Sequence, residues 1–304
     1  SPAAWTPERF AGRRAMPAAG WESVTVPGAV AGWAALSERF GRLPFARLLA
    51  PAIRYAREGF AVSPTIAHLW KSGHERLRDQ PGFAAHFAPG GRTPEAGEPF
   101  RNPDLARTLE LIAATRGAAL YTGELALRIA EDAARHKAAL TAADLAAHSA
   151  DWCGTLSTAF GGVELHEIPP NGQGIAALMA LGMLEHLPLA GHGPDSPQAL
   201  HLQIEAIKLA FADVDRYVSD PATMPFGPEA LLDPAYLAAR ARLIDPAKAQ
   251  EAAVGAPLAG GTVCLSTADE GGMMVSFIQS NYSGFGSGVV VPGTGIHLQN
   301  RGSG

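Results

Sequence analysis

The sequence predicts an α+β chain, and three observations carry that prediction. Apolar residues recur at helical spacing in most segments between Ala29 and Val218. After Val254 the pattern changes to short strand-like runs separated by glycine-rich turns. With 304 residues and 47% hydrophobic content, the chain has apolar material for a large core.

The opening stretch through Pro27-Gly28 reads as loop and turn. Over Ala29 to Phe40, Val30, Trp33, Ala34, Leu36 and Phe40 share a helical face, and Gly41 is the stop signal. A second helix is predicted from Pro44 to Glu58, stopping at Gly59, and a third from Ser63 to Arg78. Gly82 to Pro103, rich in Gly and Pro, reads as a long irregular connection. Asp104 is the expected cap of a helix carrying Leu105, Leu109 and Ile112. Gly123 to His136 gives another, with Leu127, Ile129 and Ala133, and Thr141 to Asp144 offers a capping signal before a short helix. Val163 to Ile168 alternates like a strand, turns at Pro169 to Gly174, and leads into the apolar helix Ile175 to Leu184. The clearest helix is Ser196 to Val218. Ser196 caps it, Pro197 opens it, and Leu200, Ile204, Ile207, Phe211 and Val214 form the expected apolar stripe. Met224 to Lys248 reads as loop plus a short helix. Beyond the uncharged turn Ala256 to Gly261, Thr262 to Ala268 and Met273 to Gln279 read as paired strands around Asp269-Glu270-Gly271-Gly272. Asn281 to Gly288 is a glycine-rich loop, and Val289 to Val291 a further strand.

The net charge of −5 is mild and mixed in sign, so neither nucleic acid nor a membrane surface is an expected partner. No apolar run approaches the roughly 18 residues of a spanning helix. Cys153 and Cys264 are expected as two reduced, partly buried thiols, with one disulfide as the alternative; no Cys/His spacing suggests zinc, and no cofactor is implied. No Gly-x-Ser-x-Gly elbow, phosphate loop or dinucleotide fingerprint is present. His166 and His201 read as packed or surface residues.

A hydroxyl is a weak nucleophile without a base beside it. A threonine freed at its own N-terminus carries one, because an α-amine with pKa of roughly 8 is partly neutral near pH 7. Gly260-Gly261-Thr262 has what such self-cleavage requires: a hydroxyl residue at a strand start, preceded by glycine that tolerates strained backbone. The same residues also open ordinary turns, and by themselves they leave both readings open.

The segment Trp21-Glu22-Ser23-Val24-Thr25-Val26-Pro27-Gly28-Ala29-Val30-Ala31-Gly32-Trp33 resembles the VPG-x-V-x-G stretch of gamma-glutamyltransferases. Similar too are Phe40 to Pro44, Ala56 to Phe60, Glu167 to Gly174, Glu205 to Asp213, Thr262 to Gly288 and Gly293 to Ile296, in family order over nearly the whole chain. The resemblance is greatest to the transferase-like or acylase-like branch. It implies a four-layer αββα sandwich of the N-terminal nucleophile hydrolase type, with its first and last segments outside these residues. Ser1-Pro2-Ala3-Ala4 is similar to residues that follow a substrate-carboxylate arginine of the family. It also implies autocleavage at Gly261-Thr262 into a large-subunit portion, 1–261, and the start of a small subunit, 262–304. Thr262 then forms an acyl-enzyme with a small-molecule gamma-glutamyl amide, which is hydrolysed or transferred. Ser280 is expected to hydrogen-bond the nucleophile, with Gln279 as fallback, and Asn281 to contact substrate. One departure stands out. Leu298-Gln299-Asn300-Arg301-Gly302-Ser303-Gly304 lacks the acidic pair with which the family grips an α-ammonium. Arg301 reads either as a carboxylate ligand or as a surface arginine. Glutaryl or cephalosporin side chains are thus alternative acyl groups, and an inactive relative that never matures is a second alternative.

Overall fold

The computed structural model describes residues 1–250 and 262–303, except the side chains of Thr262 and Val263. Gly261, the expected upstream side of the cut, lies outside the described residues. The chain divides into two compact units, one of residues 1–150 and 258–304, the other of residues 151–257. This spatial division is a different boundary from the covalent one expected before Thr262.

In the first unit α1 spans Ala29–Phe40 and α2 Phe45–Glu58. The short strand β1, Phe60–Ala61, follows, then α3, Pro64–Leu77. The stretch expected to be irregular contains a short helix, α4, Phe83–Phe87, and a strand, β2, Pro99–Phe100, antiparallel to β1. Packing of bulky rings overrides the Gly/Pro signal there: Phe83, Phe87 and Phe100 surround Trp70 and Phe285. Helix α5, Pro103–Thr115, is capped by Asn102, whose Oδ1 accepts from Leu105 N at 3.0 Å, and not by Asp104. Pro103 at the first helical position moves the cap one place before it, and Asp104 lies inside the first turn. α6 is Ala118–Tyr121 and α7 Glu124–Arg135. The buried face of α7 carries Leu125, Ala126, Ile129 and Ala133, whereas the expected core residue Leu127 is exposed. α8, Ala142–Ala146, has the expected capping box between Thr141 and Asp144.

The second unit opens with a hairpin of β3, Leu156–Phe160, and β4, Val163–Glu167, joined by Gly161-Gly162, both at positive φ. β3 was not anticipated, although the two glycines after an alternating run are a hairpin signal. α9, Ile175–Leu184, is apolar on all sides and packs between the hairpin and two helices, α10, Pro197–Tyr217, and α11, Pro234–Ala241. Ser196 caps α10 as expected. The expected stripe is only in part its buried face: Val214 is buried and Ile207 half-buried, but Leu200, Ile204 and Phe211 are 46%, 54% and 40% exposed. The core instead takes Ala199, Leu202, Ala206, Leu209 and Ala210 together with Val214. Small residues at helical spacing let α9 approach closely, which the larger residues on the adjacent stripe would prevent.

Back in the first unit, β5, Thr262–Ala268, pairs antiparallel with β6, Met274–Ser280. β7, Val290–Val291, pairs with β8, Ile296–His297. Val289, Val291 and Leu298 join the core built by α5, α6 and α7. The described residues show an α+β fold whose strands make four two-stranded ladders.

Cys153 and Cys264 are free thiols, but both are exposed and not partly buried as expected. No helix among the described residues is long and apolar enough to cross a membrane.

Candidate active site

The β5–β6 hairpin sets the geometry. Asp269 closes its turn, its Oδ1 accepting from Met273 N at 3.0 Å. From there the ladder runs without a break to its open end, where Thr262 is paired with Ser280. Beyond Ser280 the chain turns sharply: Tyr282 has φ 75°, and its N–H donates to Ser280 Oγ at 2.9 Å.

The following loop is tied down by Asn300, which is 1% exposed. Asn300 N donates to Asn281 O at 3.1 Å, its Oδ1 accepts from Ser283 N at 3.1 Å, and its Nδ2 reaches Ala18 O and Ser283 Oγ, both at 2.8 Å. Gly286 is at φ 51°, where an added Cβ would meet Leu298 O at 2.6 Å, so only glycine lets the loop lie this close to β8.

His297 orients Asn281. Its Nε2 lies 2.5 Å from Phe285 O, and a carbonyl only accepts, so Nε2 carries the hydrogen. Burial among Phe87 and Phe285 pushes the ring pKa down to about 4 against the pull of that carbonyl, so the ring is neutral near pH 7. Nδ1 is then an acceptor. It lies 3.5 Å from Asn281 Nδ2, a long contact that directs the amide nitrogen inward and leaves Asn281 Oδ1 without a hydrogen bond among the described residues.

These residues edge a cleft of about 560 Å³. One wall is the segment Thr25 to Val30 with Trp33 of α1; another is Leu105, Thr108, Leu109 and Ile112 of α5 with Leu120 of α6; the rest comes from the end of β6 with Asn281 and from Gly295 to Gln299 with Arg301. The Val26-Pro27-Gly28 wall is pinned by Tyr121, whose hydroxyl donates to Pro27 O and accepts from Ala31 N, both at 3.0 Å. Gln299 Nε2 donates to Thr25 O at 3.1 Å and to Thr25 Oγ1 at 2.5 Å.

Four of the expected site residues, Gln279, Ser280, Asn281 and Arg301, line this one cleft. Thr262 stands at its edge by backbone register, opposite Ser280. Gln279 is already engaged, its Oε1 accepting from Trp33 Nε1 at 3.1 Å. Sequence reasoning did not single out His297, Gln299, Asn300 or Trp33 as parts of the site. Their roles depend on partners 12 to 282 positions away, which no local pattern announces. Among the described residues no group of three or more His, Cys, Asp or Glu side chains is arranged to hold a metal ion.

The sequence model of one family, described as Gamma-glutamyltranspeptidase, matches residues 1–304. The chain belongs to the gamma-glutamyltranspeptidase family. It is 40% identical to the oxamate amidohydrolase proenzyme of Klebsiella pneumoniae and 36% identical to the glutathione hydrolase-like YwrD proenzyme of Bacillus subtilis, each over 98% of this chain and 57% of the relative. A solved cephalosporin acylase from Bacillus halodurans superposes with a TM-score of 0.87 at 42% identity, covering 99% of this chain and 57% of that one. The chain thus spans a little over half the length of these relatives. Gamma-glutamyltranspeptidases are N-terminal nucleophile hydrolases made as self-cleaving precursors, and β5 of this member begins at Thr262.

Proposed function

We propose that the protein containing this chain is an amidohydrolase that matures by cutting itself between Gly261 and Thr262 and then uses Thr262 as an N-terminal nucleophile. The pairing of Thr262 with Ser280 at the mouth of the cleft carries this reading, because directly paired residues of an antiparallel ladder share a face of the sheet. The freed α-amine of Thr262 takes the proton from Oγ as Oγ adds to the substrate carbonyl. The tetrahedral intermediate collapses, the C–N bond breaks, and the protonated amine leaves. Water then attacks the acyl ester and releases the acid, restoring Oγ–H. Ser280 steadies the attacking oxygen, and Asn281 offers Oδ1 as an acceptor to the bound substrate. In this reading the β5–β6 ladder begins an inner sheet of the four-layer sandwich, residues 1–261 belong to the large subunit, and 262–304 begin the small one.

The acyl donor is a small-molecule amide of the gamma-glutamyl kind or of another dicarboxylic acid such as glutarate. The missing acidic pair in Leu298 to Gly304 favours the second class.

Electrophoresis of the full-length protein tests the mechanism. Two fragments parted before residue 262 are expected for the native sequence, and a single uncleaved band for Thr262→Ala, with amide turnover down by about 10³-fold or more. A native protein that stays one band and inert would instead identify a relative that does not mature. A Thr262→Ala protein that matures or keeps its turnover would overturn the assignment.

A further inference from the structure

We propose that Arg301 determines substrate choice in this cleft by binding a free carboxylate on the acyl donor, so that the site takes dicarboxylic acyl amides and rejects donors carrying an ammonium beside that carboxylate. The proposal rests on the amidohydrolase reading for its turnover and on the cleft itself for its chemistry.

Arg301 is the one formally charged side chain among the described lining residues, and none of those residues is a carboxylate. The arginines at positions 9, 57, 92, 107, 135 and 240 all pair with acids. The Arg301 guanidinium has no ion-pair or hydrogen-bond partner among the described residues. Its base is nevertheless held: Arg301 N donates to Gln299 Oε1, Gln299 Nε2 is anchored on Thr25, and Asn300 beside it is buried. A guanidinium on a fixed base offers two parallel N–H groups to a planar carboxylate. The remaining polar groups are neutral or engaged with one another, as in the Trp33–Gln279 and His297–Phe285 contacts. Val26, Pro27, Trp33 and Leu109 give an apolar wall against which a short methylene chain packs. An ammonium entering this cleft leaves water, finds no acid among the described lining residues, and faces a like charge, which is costly for an unpaired ion.

The test compares the full-length enzyme on p-nitroanilides of three acyl groups: glutaryl, gamma-glutamyl and butyryl. These carry a carboxylate, a carboxylate with an ammonium, and neither. Glutaryl should exceed both others in kcat/KM by about tenfold or more. Arg301→Gln should abolish the advantage over butyryl, chiefly through KM. Equal rates for glutaryl and butyryl, a preference for gamma-glutamyl, or an equal loss on all three substrates in the variant would overturn the proposal. Calorimetric binding of glutarate against butyrate needs no turnover. Glutarate binding about tenfold tighter, and weakened to the butyrate level by Arg301→Gln, supports the carboxylate site even if no anilide is cleaved, an outcome that would sink the amidohydrolase reading alone. Equal binding of the two acids overturns the site.

Discussion

Single side chains at the cleft act through their protonation and their fixed partners. His297 titrates in the folded protein near 4, against about 6.5 for an ordinary histidine. Between those values the unfolded chain binds more protons than the folded one, so stability falls as pH drops from about 6.5 toward 4 and levels off below. The effect amounts to about 3 kcal/mol at most. His86, whose pKa burial also lowers, adds to the same trend. His297→Gln removes only the first contribution. Denaturant titrations at pH 7.5, 5.5 and 4.5 should show the variant gaining on the native protein by most of that amount as pH falls. Parallel curves would show that His297 titrates alike in the folded and unfolded chain. Ser280 and Asn281 were legible as candidates only through the family resemblance, by counting from Thr262. Arg301 was legible as a residue but not in its setting. That no acid among the described residues pairs with it is a property of the cleft, not of its neighbours in sequence.

At the scale of elements, α10 shows what periodicity leaves undecided. Two adjacent stripes on it both repeat every three or four residues, and the sequence favoured the bulkier one. The face that α9 and α11 cover carries alanines and two buried acids, Glu205 and Asp213. Asp213 sits 2.9 Å from Arg240 Nε of α11, with the N–H turned off the line to the oxygen, so the pair attracts by charge more than by an aligned hydrogen bond. Tyr236, one turn earlier on α11, is pushed up to about 12 by burial and by its hydrogen bond to Asp213. Asp213→Ala leaves Arg240 with its charge largely buried and unpaired, and should cost about 3 kcal/mol in unfolding free energy. The double variant Asp213→Leu with Arg240→Met should recover most of it, since an apolar pair of similar size avoids both desolvations. If the double variant is as unstable as the single one, the pair does more than satisfy itself.

At the scale of the whole molecule, the two units have separate cores. One gathers Phe45, Leu125, Ile129, Val291 and Leu298; the other Ile175, Met179, Leu202, Leu209 and Leu237. Hydrogen exchange of the Asp213→Ala protein should therefore quicken at amides of α9, α10 and α11 and stay unchanged in β7 and β8. Uniform quickening would mean that the cores unfold as one. The sequence by itself determined the local matters: most helix positions, the caps at Ser196 and Thr141, the β5–β6 hairpin, and the threonine at its head. Those are set by neighbours within a few positions, where propensity, capping and turn chemistry act. Only the tertiary structure decided which stripe of α10 and α7 is buried, how Phe83 to Phe100 folds around Trp70, and that His297, Gln299 and Arg301 meet the end of β6 across one cleft. Burial and charge isolation are sums over contacts from distant parts of the chain, and no local pattern encodes such a sum.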